Sequence, residues 1–166
     1  EPVQVRAAEG ADVPELLDLV HAAYRGHGGW TTEADLIDGG RTDADELRAL
    51  LPHLLVVEHD GALVGCCSLV PEEERASFGL FAVRPAQQGA GVGSALLQAA
   101  EERARELGLH EVEMTVVSVR TELLAYYARR GYLPTGETRP FPYGVERNGR
   151  PRRDDLAFAV LVKELS

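Results

Sequence analysis

The sequence is short of several residue types. It holds two cysteines, one tryptophan and a single lysine, Lys163, among 166 residues. Two thiols cannot build a disulfide framework. Cys66 and Cys67 are also adjacent, and neighbours on a strand point to opposite faces. A reducing, cytoplasmic setting is therefore expected. No Cys/His spacing resembles a metal site, and His21, His27, His53, His59 and His110 are scattered, so no metal is expected. No apolar run is long enough to span a bilayer, and no basic stretch leads into an apolar one as in a secretory signal. No membrane partner is expected. Cations are scarce too, with 17 Lys and Arg against 27 Asp and Glu and a formal net charge of -10. Such a surface repels phosphate backbones, which argues against a nucleic acid partner, and it attracts protonated amines. The arginines at Arg147, Arg150, Arg152 and Arg153 read as a solvated loop.

What is present suits one domain over residues 1–166, with 45% hydrophobic and 27% charged residues. Residues 3–6 alternate as a short strand. Residues 11–24 read as a helix, with Asp12 as cap, Pro14 in the first turn and Glu15 completing a capping box. Leu16, Leu17, Val20 and Tyr24 form its apolar stripe. A second short helix follows, capped by Thr42 and stopped by Pro52. Two β-rich runs flank Asp60-Gly61, a strong hairpin signal. Residues 71–74 are an acidic loop, and residues 76–83 the next strand. Residues 94–107 are a helix that Gly108 caps. Residues 110–119 are a strand, and residues 121–131 a helix that Gly131 ends. An extended segment, a long loop and a last strand from residue 156 complete the chain. The fold class expected is α/β in the broad sense, a mixed sheet with helices on its faces.

The stretch QQGAGVGSALL, which begins at Gln87, joins strand to helix through three glycines. Glycine lets backbone approach a ligand closely, and a helix start presents unpaired N–H groups and a positive dipole end. That is an anion site in waiting. A Walker A loop would need a lysine, and none is near. A dinucleotide fingerprint would need glycine where Ser94 stands, and would follow the first strand of the fold. The pattern Q/R-x-x-G-x-G/A fits at Gln88, Gly91 and Gly93.

With that pattern the segment resembles motif A of the GNAT superfamily of acyl-CoA N-acyltransferases. The stretch RTELLAYYARRGYLPTGE resembles the later helix motif of that family, where a tyrosine stands four residues before G-[FY]. Tyr127, Gly131 and Tyr132 have that spacing. The resemblance implies a mostly antiparallel sheet in which one parallel strand pair splays. It implies acetyl-CoA as cosubstrate. Phe81 and Val83 would pair with its pantetheine arm. The N–H groups of Gln88, Gly89, Ala90, Gly91, Val92, Gly93 and Ser94 would cradle its pyrophosphate. Leu80 or Phe81 would supply the oxyanion donor. Tyr127 would protonate the leaving thiolate, since a phenol near ~10 and a thiol near ~8.5 are close in pKa. Tyr126 should point elsewhere, about 100° round the helix. Glu33, Glu72, Glu73, Glu74 and Glu113 are candidate bases with none preferred. The acceptor would be an amine, on a small molecule or a peptide. Trp30 is a candidate wall of its site. Homodimers are common in folds of this kind. The rival reading is an acyl-CoA-binding sensor of the same fold without turnover, which would need no proton donor.

Overall fold

The computed structural model describes residues 4–25, 37–38, 43–84, 91–117, 120–140, 150–151 and 157–165. Strand β1 (Val5–Ala7) leads through a 3-10 turn to helix α1 (Val13–Arg25). After β2 (Ile37–Asp38) comes α2 (Ala44–Leu50), then β3 (Leu54–His59), β4 (Ala62–Pro71) and β5 (Ala76–Val83). Helix α3 (Val92–Glu106), β6 (Glu111–Val117) and α4 (Thr121–Ala128) follow, and β7 (Leu133–Pro140), β8 (Arg150–Pro151) and β9 (Ala157–Glu164) finish the order. Seven strands form one sheet in the order β1-β3-β4-β5-β6-β9-β7. Among the described residues only the β5–β6 pair is parallel. This is the mixed, mostly antiparallel sheet expected. A separate ribbon pairs β2 with β8, which the sequence reading did not anticipate.

Local chemistry explains most boundaries. Asp60 and Gly61 both take positive φ, 53° and 79°, as a two-residue hairpin turn requires. Gly108 and Gly131 take φ of 81° and 95° just past α3 and α4. Each is followed by a bond back across the last turn, Leu109 N–H to Ala104 and Tyr132 N–H to Tyr127. Three expected details differ. The cap of α2 is Asp43, whose carboxylate accepts the Glu46 N–H at 2.8 Å, while Thr42 lies outside the described residues. Asp12 closes a turn back to the Glu9 N–H at 2.8 Å, and Glu15 accepts the Leu63 N–H, which ties α1 to β4. Helix α3 starts at Val92, two residues before the expected Ser94.

The sheet separates two apolar layers. Val13, Leu16, Leu19 and Val20 of α1 pack with Leu47, Leu54, Val56, Leu63 and Cys66 on one face. Leu96, Leu97, Ala100 and Ala104 of α3 pack with Cys67, Leu69, Val112, Met114, Tyr127 and Tyr132 on the other. The two cysteines thus do face opposite ways. Among the described residues, no helix is long and apolar enough to cross a membrane.

Candidate active site

The site begins with a break in pairing. Strands β5 and β6 are partnered only at Ala76↔Val112 and Ser77↔Glu113, and then part. Strand β6 keeps its other partner, β9, along its whole length. The parting coincides with a bulge in β5. Cys66 pairs with Ala82 and Ser68 with Gly79, so Leu80 and Phe81 together oppose Cys67. Leu80 carries the strain, with φ of 47°. The extra residue re-aims the strand. Phe78 and Phe81, three positions apart, pack in the α3 layer, while Leu80 and Ala82 pack in the α1 layer.

Beyond β5 the chain returns to start α3. Gly91 caps that helix with φ of 86°, a conformation that glycine adopts without strain. Gly93 has a different reason to be glycine. A Cβ there would lie 3.0 Å from the Tyr126 hydroxyl and 3.1 Å from Phe81 Cζ. The first intrahelical bond is Ala95 N–H to Gly91 O, so the N–H groups of Val92, Gly93 and Ser94 precede it. Ser94 is exposed. Gln88, Gly89 and Ala90, the other expected cradle residues, lie outside the described residues, as do Trp30 and Glu33.

Helix α4 brings its tyrosines to the parted strands. Tyr127 is buried, and its ring lies 6.2 Å from Phe81 and 6.4 Å from Tyr132, centroid to centroid. Tyr126 meets Tyr127 edge-on at 5.2 Å. It turns to another side of the helix, as expected, but that side faces the start of α3. Arg130, one turn on, lies over the Tyr126 ring at 3.7 Å and donates to Ser94 Oγ at 3.1 Å. The sequence reading missed this contact.

It also missed the lock behind Tyr127. Tyr132 is fully buried and donates its hydroxyl to Glu101 Oε2 at 2.8 Å. The chain's one lysine, Lys163, holds the same carboxylate at 3.0 Å. Burial and the Glu101 charge push the Tyr132 phenol well above its usual range. The signal was present, since Glu101 falls at helical spacing between Leu97 and Ala104, and a carboxylate on an apolar stripe needs a partner.

The remaining candidates sort by their partners. Glu113 is buried, and its Oε1 accepts from Arg75 at 3.1 Å and from Arg139 at 3.0 Å. A carboxylate held by two guanidinium groups ties β6 to β7 and to the turn before β5 more than it serves as a base. Glu72, Glu73 and Glu74 sit in an exposed turn. Cys66 and Cys67 are buried, and burial pushes the Cys66 thiol up to about 12 and the Cys67 thiol well up, so neither suits a nucleophile. Among the described residues no group of His, Cys, Asp and Glu is placed to hold a metal ion.

Comparison with known proteins agrees with this geometry. The chain is 27% identical over 130 residues to an amino-acid acetyltransferase of Mannheimia succiniciproducens, covering 77% of this chain and 26% of that protein. It thus spans about a quarter of the length of that relative. The fold matches the crystal structure of the ribosomal-protein-S18-alanine N-acetyltransferase of Escherichia coli, with a TM-score of 0.73, 15% identity, and 99% and 95% of the two chains covered. It also matches a GNAT family acetyltransferase of Elizabethkingia anophelis with acetyl-CoA bound, with a TM-score of 0.68, 19% identity, and 98% of each chain covered. The profile of the acetyltransferase (GNAT) family matches residues 14–132. By that match, and by a sheet that parts where the glycine turn opens α3, the chain belongs to the acetyltransferase (GNAT) family.

Proposed function

We propose that this chain is an N-acetyltransferase that moves the acetyl group of acetyl-CoA to a primary amine by direct attack, with Tyr127 protonating the leaving thiolate. The observation that carries the reading is the parting of β5 from β6 after two residue pairs, with Tyr127 leaning on Phe81 in the parted half. Acetyl-CoA supplies an activated thioester. Backbone groups of Phe81 and Val83 would hold its pantetheine arm like an added strand. The helix start from Gly91 to Ser94, with Gln88, Gly89 and Ala90 before it, would hold its pyrophosphate. The positive φ at Gly91 fits that cradle, because it turns the chain into the helix with its N–H groups forward. Leu80 or Phe81 would donate a backbone N–H to the oxygen that gains charge, and the bulge at Leu80 gives that strand its departure from regular pairing.

Tyr127 fits the acid role by its place. As free groups a phenol and a thiol differ by about 1.5 pKa units, roughly 2 kcal/mol, which close hydrogen bonding offsets. The ring is fixed on three sides by Phe81, Tyr126 and Tyr132, so its hydroxyl has little freedom to wander. The acceptor is an amine on a small molecule or a peptide. Relatives named for amino-acid and for ribosomal-protein-alanine acceptors motivate testing both classes.

The test is thermal unfolding with acetyl-CoA and with NAD as control, followed by thiol release with free amino acids and with peptides. Acetyl-CoA at a hundred times its dissociation constant should add about 2.7 kcal/mol of stability. A folded chain that gains nothing from acetyl-CoA would overturn the reading. A chain that binds acetyl-CoA and turns over no amine would favour a sensor.

A further inference from the structure

We propose that Arg130, braced by Tyr126 and Ser94, binds a phosphate of the cofactor. The inference rests on the acetyl-CoA reading above and adds a side chain that the backbone cradle does not include. Arg130 follows α4, far in sequence from the glycine turn, yet its guanidinium is held at the start of α3 by three contacts. It stacks on Tyr126 at 3.7 Å, its Nη1 donates to the Tyr126 carbonyl at 3.2 Å, and its Nη2 donates to Ser94 Oγ at 3.1 Å. Gly93 makes the arrangement possible, because a Cβ there would meet the Tyr126 hydroxyl at 3.0 Å.

Most described cations of this chain lie beside a carboxylate. Arg6, Arg75, Arg84, Arg120, Arg139 and Lys163 each sit against a carboxylate. Among the described residues Arg130 has no carboxylate, in a sequence with 27 acidic residues to choose from. A phosphate suits this guanidinium, since it is attracted by the N–H groups of the first turn of α3 and by a planar donor fork that still has N–H groups to spare. Acetyl-CoA offers two sources of that chemistry, its pyrophosphate and its ribose 3′-phosphate.

The experiment measures affinity for acetyl-CoA and for its 3′-dephospho form, and kcat/KM with S-acetyl-pantetheine, which has no phosphate. Wild type is compared with Arg130→Gln, and with Arg130→Met should the glutamine variant not fold. Loss of a charge-assisted contact should weaken acetyl-CoA about tenfold or more. If the variant is equally weakened toward the dephospho form, the pyrophosphate is the partner. If it loses nothing there, the 3′-phosphate is. S-acetyl-pantetheine should be used within about twofold of wild type. Unchanged affinity for acetyl-CoA, or an equal loss with S-acetyl-pantetheine, would overturn the proposal. Failure of the wild-type chain to bind acetyl-CoA would instead overturn the function proposed above.

Discussion

Gly65→Ala should disturb both the stability of the chain and the start of α3 that is proposed to hold the pyrophosphate. Gly65 lies in β4 under the first turn of α3. A Cβ there would stand 2.5 Å from Val92 Cγ1 and 3.1 Å from Leu96 Cδ1. Leu96 is fully buried and Val92 nearly so, which leaves little room for either to move aside. Overpacking of this kind costs about 1–3 kcal/mol. Gly65 does not have a left-handed φ, so alanine also narrows the unfolded ensemble and returns about 0.4–1 kcal/mol. The net loss should be about 1–2 kcal/mol, read by urea unfolding, with a Tm lower by roughly 2–8 °C for a chain of this size. Val92→Ala alone should cost about 1–2 kcal/mol for the methyl groups it removes. Together the two changes should cost less than their sum by at least ~0.5 kcal/mol, because the truncated valine makes room for the new methyl. Additivity within ~0.3 kcal/mol would refute the reasoning, since it would mean that Gly65 and Val92 are not in contact. Acetyl-CoA affinity should fall in Gly65→Ala and recover in part in the pair, as Val92 opens α3, whose start is proposed to hold the pyrophosphate.

Three further outcomes are expected. Tyr127→Phe should bind acetyl-CoA within about twofold of wild type by calorimetry and lose about 10²–10⁴ in kcat, the usual size of a proton-transfer contribution; near-normal turnover would remove Tyr127 from the mechanism. Tyr132→Phe should cost about 1.5–3 kcal/mol at pH 7, because it takes a hydrogen bond from the buried Glu101 carboxylate. The phenol of Tyr132 is raised in the fold, so its contribution is full below the unfolded value near ~10 and is lost as pH climbs toward the folded one. Wild-type stability should therefore fall above about pH 10 more steeply than that of the variant, by up to ~1.4 kcal/mol per pH unit, and parallel curves would contradict the buried phenol. Cys66 and Cys67 should resist a thiol reagent in the native chain at pH 8 and both react once it is unfolded, whereas prompt native labelling of either would place it outside the core.

The sequence by itself determined the local grammar of this protein. The hairpin at Asp60-Gly61 and the glycine stops at Gly108 and Gly131 follow from dihedral preference. The bounds of β5 at Ala76 and Val83 follow from β-rich composition between turn signals. The glycine pattern and the Tyr127–Gly131 spacing were enough to point to the GNAT family, because both are local to one turn and one helix. Even here near neighbours misled, and Asp43 rather than the adjacent Thr42 caps α2. Tertiary structure alone decided what meets across the chain. Ser94 and Arg130 are 36 positions apart, and Glu101 and Lys163 are 62 apart. No periodicity encodes such pairs, since a period reports which face a residue takes and not what packs against that face. The bulge at Leu80 is of the same kind. A leucine has no preference for positive φ, and it accepts the strain because packing on both faces of the sheet holds β5 in place around it.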